Sequence, residues 1–291
     1  MIHRSTSLLA AAAAIALALA GCASPGASGA PAGERTPSAT GTATAAEVYR
    51  TVDGTDLKAE FCEPEGVDSP VPAVVLLHGG GFSEGSRSSM MQLCADAAAQ
   101  GIVGVTVDYR LLPQNSYPAQ IDDAAAAVAW LKEPEVAAAH GIDPAHIGMI
   151  GSSAGAIITA TLATRSDSGL TAAAALSPVS DMTADGLALG TPTNEAIATI
   201  LAYLGCSDIA DCPVGAEASP LLAVSAGDTP MFLAGGTREL VPAGQVEALH
   251  DALVAAGVPT ELVMSPGERH GLALLTDDVR AKMFDFLKEQ L

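Results

Sequence analysis

From about residue 48 onward, the chain alternates between two patterns of apolar and polar positions. Short continuous apolar runs, typical of strands buried on both faces, are separated by longer alanine-rich runs with helical spacing. The runs predicted to be strands are VPAVVLLHGG, GIVGVTVDYR, HIGMIG, TAAAALSPVSD, TPMFLAGG and TELVMSPG. The alternation predicts an α/β fold in which helices cover both faces of a mostly parallel sheet. Residues 184–220 interrupt the pattern, and we expect them to form a short lid-like insertion over one end of the sheet.

The N-terminal region differs in composition from the rest of the chain. A short basic start precedes an apolar run over residues 8–20, which is too short for a membrane span of about 20 residues. These features predict a secretory signal peptide over residues 1–21. Residues 22–47 consist mainly of Ala, Gly, Ser, Thr and Pro, so they are predicted to be a disordered tether. This leaves residues 48–291 as one folded domain.

The end of the predicted signal peptide suggests a lipid anchor. The sequence Leu19-Ala20-Gly21-Cys22 resembles a bacterial lipobox, in which Cys22 is lipidated and becomes the mature N-terminus. We therefore expect an exported protein of the bacterial cell envelope, anchored through Cys22 to the outer face of a membrane. The alternative is an ordinary signal peptide with a coincidental cysteine.

Charge and cysteine content narrow the choice of partners. The formal net charge of −20 would repel phosphates, so we expect no nucleic acid partner. No cysteine or histidine spacing resembles a zinc site, and no metal or cofactor is expected.

Besides Cys22 there are four cysteines, and an even number in an exported chain predicts disulfides. Cys206 and Cys212 bracket a short polar loop and are the favoured pair, which leaves Cys62 with Cys94.

The segment Gly151-Ser152-Ser153-Ala154-Gly155 follows a predicted strand and precedes a predicted helix. It matches the pattern G-x-S-x-G, in which a sharp strand-to-helix turn holds the central serine above the sheet. Ser153 is therefore the candidate nucleophile, and Ser152 is interpreted as a supporting residue. The alternative is that Ser153 is only a helix-capping serine.

A second glycine-rich motif, His78-Gly79-Gly80-Gly81-Phe82, directly follows the predicted strand AVVLL. Consecutive glycines let backbone N–H groups approach a substrate without obstruction by side chains. Gly80, Gly81 and Ala154 are predicted to form an oxyanion hole through these groups. A phosphate-binding loop is disfavoured, because no Gly-Lys-Ser/Thr follows.

These two motifs occur in order with two others, which are Asp108-Tyr109-Arg110 and Tyr117-Pro118-Ala119-Gln120. Together they resemble the α/β-hydrolase fold and, more narrowly, hormone-sensitive-lipase-like esterases and bacterial relatives that act on acetyl or feruloyl esters. The resemblance covers residues 48–291 and implies a serine hydrolase. Many lipase-like members have Asp at the position of Ser152, and this departure favours the acetyl and feruloyl esterases.

In this fold the catalytic residues follow the order serine, acid, histidine. Only His250 and His270 come after Ser153, and His250 lies within a predicted helix. His270 follows the last predicted strand, so it is the predicted base. Glu239 follows the strand MFLAGG, in the slot where the resembled families usually have Asp, and Asp181 remains the alternative acid.

The sequence thus predicts a serine esterase that cleaves short-acyl, acetyl or feruloyl esters of small molecules through an acyl-enzyme. Two other hypotheses remain. A peptidase or amidase can use the same three side chains, and a surface lipoprotein of this fold can bind a ligand without catalysis. Asp108 and Arg110, near the end of one strand, are interpreted as a local ion pair of structural use.

Overall fold

The computed structural model of the protein describes residues 41–67 and 70–291. The predicted signal peptide and Cys22 lie outside these residues. Within the described ranges, none of the helices combines the length and the apolar character that crossing a membrane requires.

The described residues form one sheet of nine strands. The strands are β1 (Gly41–Ala43), β2 (Glu47–Val52), β3 (Thr55–Pro64), β4 (Val71–Leu77), β5 (Val103–Val107), β6 (Ile142–Ser152), β7 (Ala172–Leu176), β8 (Met231–Gly236) and β9 (Thr260–Ser265). Their order across the sheet is β1-β3-β5-β4-β6-β7-β8-β9, with β2 also paired to β3. From β5 to β9 all neighbours are parallel, whereas β3 is antiparallel to β1, β2 and β5. The predicted mostly parallel sheet is therefore confirmed.

The folded domain begins earlier than residue 48, so the predicted boundary of the tether is wrong. Gly41–Ala43 pairs with the end of β3, and the N–H of Thr44 donates to the carbonyl of Phe61 at 3.1 Å. Glu47 begins β2. β3 is ten residues long, and β1 and β2 together cover the backbone edge that it would otherwise expose. The small residues of this stretch gave no apolar pattern from which pairing could be inferred.

Nine helices accompany this sheet in the described part of the chain. They are α1 (Met91–Ala99), α2 (Ala119–Leu131), α3 (Pro134–Ala139), α4 (Ala154–Ala163), α5 (Asn194–Leu204), α6 (Val214–Ala218), α7 (Pro220–Ala223), α8 (Ala243–Ala256) and α9 (Asp277–Gln290).

Helices cover both faces of the sheet, as the sequence predicts. Successive side chains of a strand point to opposite faces. In β4, Val74 and Leu76 therefore belong to a core with α1 and α9, whereas Val75 and Leu77 belong to one with α2 and α4. α8 packs beside α4 on the second face. Because β4 to β9 run parallel, the segments that follow these strands begin at the same edge of the sheet, where open α/β sheets bind their ligands.

The long connection between β7 and β8 contains α5, α6 and α7, with no strand. Thr193 caps α5 by accepting a hydrogen bond from the N–H of Ala196 at 3.1 Å, and Gly205 ends the helix in a left-handed conformation. A disulfide joins Cys206 to Cys212 just after α5, and a second joins Cys62 of β3 to Cys94 of α1. These are the pairings considered from the sequence, Cys206–Cys212 because of its short polar loop and Cys62–Cys94 by elimination.

The interpretation of Asp108 and Arg110 as a pair is wrong. Arg110 Nε lies 2.8 Å from Asp123 Oδ2 in α2, and Asp108 Oδ2 lies 2.6 Å from a guanidinium nitrogen of Arg87. The side chain of Asp123 is fully buried, and it also receives Arg50 at 2.6 Å. A buried carboxylate left without partners would be costly, which explains why two arginines converge on Asp123.

Candidate active site

Ser153 occupies the sharp turn between β6 and α4. Its φ of 55° and ψ of −116° lie in a region that costs a residue with a side chain about 1–3 kcal/mol. A Cβ on Gly151 would lie 2.1 Å from the carbonyl oxygen of Gly155, and a Cβ on Gly155 would lie 2.3 Å from that of Leu77. Both glycines of the motif are thus required by close backbone packing, and the turn presents Ser153 at the edge of the sheet.

His270 lies in the segment after β9. Its Nε2 is 2.8 Å from Ser153 Oγ, although the two residues are 117 positions apart in the sequence. The His270 side chain is 28% exposed, so its ring can exchange protons with water. His250 lies on α8, where its Nδ1 contacts the neighbouring Asp251 at 3.2 Å. The structure thus brings His270 to Ser153.

The other ring nitrogen of His270, Nδ1, forms a hydrogen bond with Glu239 Oε2. The Glu239 side chain is fully buried, and its Oε1 accepts from the N–H of Gly236 at 2.7 Å and from Ser177 Oγ at 2.8 Å. Asp181 instead accepts from the N–H and hydroxyl of Thr183, at 2.9 and 2.7 Å. Of the two candidate acids, the structure places Glu239 against the imidazole.

The glycine-rich loop after β4 passes directly beside Ser153. A Cβ on Gly79 would lie 3.2 Å from the Cβ of Ser153. Gly80 and Gly81 have φ values of 111° and 56°, and the Gly80 carbonyl accepts from the N–H groups of Ser83 and Glu84, each at 3.1 Å.

The three residues predicted to form the oxyanion hole share a cavity. Gly80, Gly81 and Ala154 line the cavity that also contains Ser153 and His270. Their N–H groups have no hydrogen-bond acceptor among the described residues. These donors are thus free to bind an oxygen atom of a ligand, and the turn and the loop can supply them together.

Buried aromatic contacts hold this loop. The imidazole of His78 stacks on the ring of Tyr109 with 4.2 Å between centroids, and its Nδ1 bonds the carbonyl of Gly79 at 2.7 Å. The Tyr109 hydroxyl donates to the carbonyl of His78 at 2.8 Å. Burial lowers the pKa of His78, which favours the neutral ring. Tyr109 belongs to the Asp-Tyr-Arg motif, so that motif supports the loop rather than the chemistry.

Two further serines position the His270 segment. Ser177 Oγ donates to Glu239 and accepts from the N–H of Gly271 at 2.9 Å. Ser152 Oγ accepts from the N–H of Leu272 at 3.1 Å, which is a supporting role of the kind expected from the sequence. Ser177 was not singled out from the sequence. Its position directly after β7, at the edge where the other parallel strands end, was the one available signal.

A cavity of about 770 Å³ lies above these residues. We call residues 184–220 of the β7–β8 connection the roof. The remaining segments that directly follow β4, β6, β7, β8 and β9 form what we call the floor. The roof contributes apolar side chains to the cavity, namely Leu187, Pro192, Ala196, Ile197, Ile200 and Ile209. Floor and roof meet where Phe82 stacks on Tyr203 of α5, with 3.9 Å between ring centroids and 7° between planes. In the described part of the chain, no cluster of His, Cys, Asp and Glu has the geometry of a metal site.

Comparison with known sequences agrees with this geometry. The sequence profile of the alpha/beta hydrolase fold family matches residues 74–274, which include both glycine-rich motifs, Glu239 and His270. The chain belongs to the alpha/beta hydrolase fold family. This α/β-hydrolase is 37% identical over 233 residues to the carboxylesterase NlhH of Mycobacterium tuberculosis, which covers 75% of the chain and 71% of the relative. It is also 37% identical over 116 residues to an ethyl acetate hydrolase of Pseudomonas putida, covering 39% of the chain and 36% of the relative.

Solved structures of an esterase show the same architecture. Esterase 2 of Thermogutta terrifontis superimposes on the α/β-hydrolase with a TM-score of 0.69 and 26% identity, over 87% of this chain and 92% of that one. The form of that esterase phosphonylated by sarin superimposes with a TM-score of 0.72 and 25% identity, over 84% of this chain and 92% of the other.

Proposed function

We propose that this α/β-hydrolase is a serine esterase that cleaves carboxylic esters of small molecules. The observation that most directly supports this proposal is the continuous chain of hydrogen bonds from Ser153 through His270 to Glu239 on the floor of the cavity. The similarity to proteins named as carboxylesterases and ester hydrolases supports the choice of esters.

In the first half of the reaction, His270 Nε2 accepts the proton of the Ser153 hydroxyl while Oγ attacks the ester carbonyl. The carbonyl π electrons move to oxygen, and the resulting oxyanion is bound by the N–H groups of Gly80, Gly81 and Ala154. Losing one such donor typically costs about 2.7–4 kcal/mol of transition-state stabilisation. Glu239 holds the imidazole in the required tautomer and stabilises its cation. When the oxyanion collapses, the ester C–O bond breaks and His270 returns the proton to the departing alcohol.

In the second half, water takes the place of the alcohol. His270 accepts a proton from this water as the water oxygen attacks the acyl carbon of the Ser153 ester. The acid is then released and Ser153 regains its proton. The partial exposure of His270 gives water a route to the ring.

The proposed substrates are short-acyl, acetyl or feruloyl esters. A cavity of about 770 Å³ has room for an aromatic acyl group as well as a short chain, and the apolar roof suits either. Many lipase-like members have Asp where this chain has Ser152, and this difference supports acetyl and feruloyl esters as substrates.

The decisive experiment compares the purified protein with its Ser153→Ala and Ser152→Ala variants on 4-nitrophenyl acetate, methyl ferulate and a peptide anilide. Removing a nucleophile of this kind lowers kcat by about 10⁴- to 10⁶-fold, so we expect ester turnover to vanish in Ser153→Ala. The adjacent Ser152→Ala loses only one supporting hydrogen bond, to the N–H of Leu272, so its ester turnover should fall by less than about tenfold. Turnover of the anilide but not the esters would indicate an amidase or peptidase. Turnover of none would indicate a non-catalytic binding protein.

We also propose that the protein is exported and anchored to the outer face of a bacterial membrane through a lipidated Cys22. The lipobox-like sequence supports this, and the two disulfides are typical of proteins that fold outside the cytoplasm. Expression of the full chain with and without Cys22→Ser tests it. We expect the unchanged chain to incorporate a labelled fatty acid and sediment with membranes, and the variant to do neither. Membrane association that survives the substitution would contradict the proposal.

A further inference from the structure

The charged side chains that line the cavity are all of one sign. Glu84, Asp181 and Glu195 contribute to the lining, together with His270. Over residues 41–67 and 70–291, no lysine or arginine contributes to it. A substrate that reaches Ser153 therefore passes carboxylates without passing a fixed positive charge.

Glu84 and Glu195 approach the cavity from two sides. Glu84 follows the glycine-rich loop of residues 78–82, which we call the oxyanion loop. A Cβ added to Gly80 would lie 3.2 Å from Glu84 Cγ, so the Glu84 side chain starts beside the proposed oxyanion hole. Glu195 lies in the first turn of α5, in the roof. Both residues are exposed, so their carboxylates are free to face a ligand.

No basic side chain neutralises these two carboxylates. Within the part of the chain that the structure describes, neither Glu84 nor Glu195 forms an ion pair, and the arginines nearest to Glu84 in sequence are engaged elsewhere. Arg87 binds Glu60 and Asp108, and Arg110 binds Asp123. The formal net charge of the whole chain, −20, has the same sign as the charges in the cavity.

A cleft that is lined by one sign of charge and has apolar walls concentrates the electric field and raises the local concentration of oppositely charged ligands. We infer that this cavity selects esters by charge, favouring those whose alcohol or acyl part carries an ammonium group over neutral esters of the same shape, and disfavouring anionic ones. The inference rests on the proposed esterase function, and it assigns Glu84 and Glu195 to specificity rather than to the chemical steps.

The test uses two substrates of the same shape, acetylcholine and 3,3-dimethylbutyl acetate, which differ only by a quaternary nitrogen in place of a quaternary carbon. Hydrolysis is followed by acid release at low ionic strength. We expect the ratio of kcat/KM, cationic over neutral, to fall about fivefold in Glu84→Gln/Glu195→Gln, which corresponds to about 1 kcal/mol. Comparing the ratio between variants cancels the difference in intrinsic reactivity of the two esters. In the unchanged enzyme, added salt should lower the same ratio, because exposed charges are screened.

The control variant is Glu135→Gln/Glu289→Gln, which removes two exposed carboxylates outside the cavity and should leave the ratio unchanged. An equal fall in both double variants, or no fall in the cavity variant while both esters are still hydrolysed, would overturn the inference. If the unchanged enzyme turns over 4-nitrophenyl acetate but neither of these two esters, the inference fails while the esterase proposal stands. If Ser153→Ala hydrolyses the two esters as fast as the unchanged enzyme, the esterase proposal itself fails and the inference fails with it.

Discussion

The floor and the roof of the cavity are held by different kinds of contact. On the floor, residues far apart in sequence are joined by directional hydrogen bonds, such as those from Ser177 Oγ to Glu239 Oε1 and from Ser153 Oγ to His270 Nε2. The roof faces the cavity mainly with apolar side chains. Proton transfer requires donor and acceptor within about 2.6–3.2 Å, whereas apolar contact tolerates small shifts. Changes to the floor should therefore affect turnover of every ester, and changes to the roof should affect which esters bind.

After the loss of Ser153 itself, the largest effect is expected from Glu239→Gln. The amide retains the shape of the carboxylate but cannot stabilise the imidazolium and favours the wrong tautomer, which lowers kcat by about 10⁴-fold in related arrangements. Steady-state hydrolysis of 4-nitrophenyl acetate measures this. Asp181→Asn is the matched control, and its kcat should fall by less than about tenfold, because Asp181 binds Thr183 and not His270. The reverse ranking would return Asp181 to the role of acid.

A smaller loss is expected from Ser177→Ala. The change removes a donor to the buried carboxylate of Glu239 and an acceptor for the N–H of Gly271. Hydrogen bonds to charged groups are worth about 1.5–3 kcal/mol, so kcat should fall about tenfold to a hundredfold with little change in KM. A change confined to KM would show that Ser177 contacts substrate instead of positioning His270.

In the roof, Ile197→Ala should weaken the binding of esters with longer acyl chains. Each buried methylene contributes about 0.8 kcal/mol, so KM for 4-nitrophenyl hexanoate should rise about three- to tenfold while kcat stays within about twofold. The acetate ester is too short to use the lost surface, and its KM should hardly change. Leu222→Ala, at an exposed position outside the cavity, is the control. Equal losses for acetate and hexanoate would remove the distinction between floor and roof.

The smallest expected effect is on the free energy of unfolding at acidic pH, through His78 in the floor. Burial lowers the pKa of His78, so below the ordinary histidine value of about 6.5 the unfolded chain binds a proton that the folded chain does not. Stability should be fully present above that pH and should decline as the pH falls, by at most about 1.4 kcal/mol per pH unit. Urea unfolding between about pH 7 and pH 5 should show a shallower decline in His78→Gln than in the unchanged protein. Parallel curves would mean that His78 does not contribute.

The sequence predicts the floor well where the signal is local. Ser153 and the His78–Phe82 loop were recognisable because tight turns need glycine at set positions beside a strand and a helix. His270 then followed from the chain order of the fold. Glu239 could be separated from Asp181 only by the structure, because the choice depends on which strand end approaches His270.

Contacts between distant segments could not be predicted in this way. Ser177 lies in no motif, and its role arises because β7 lies next to β8 in the sheet, with β9 beyond. Arg87 and Asp108 meet across 21 residues, and the strand β1 is recruited by the open edge of β3. In each case the contact depends on which strands lie side by side in the folded sheet, and no local sequence pattern encodes that arrangement.

The stack of Phe82 on Tyr203 makes the roof and the oxyanion loop mechanically dependent on each other. One ring belongs to the segment that supplies the Gly80 and Gly81 amides, and the other to the helix that closes the cavity. An ester bulky enough to push α5 outward would also tilt the amides away from the developing charge. Oversized substrates would then be discriminated twice, once by poorer accommodation and once by slower acylation.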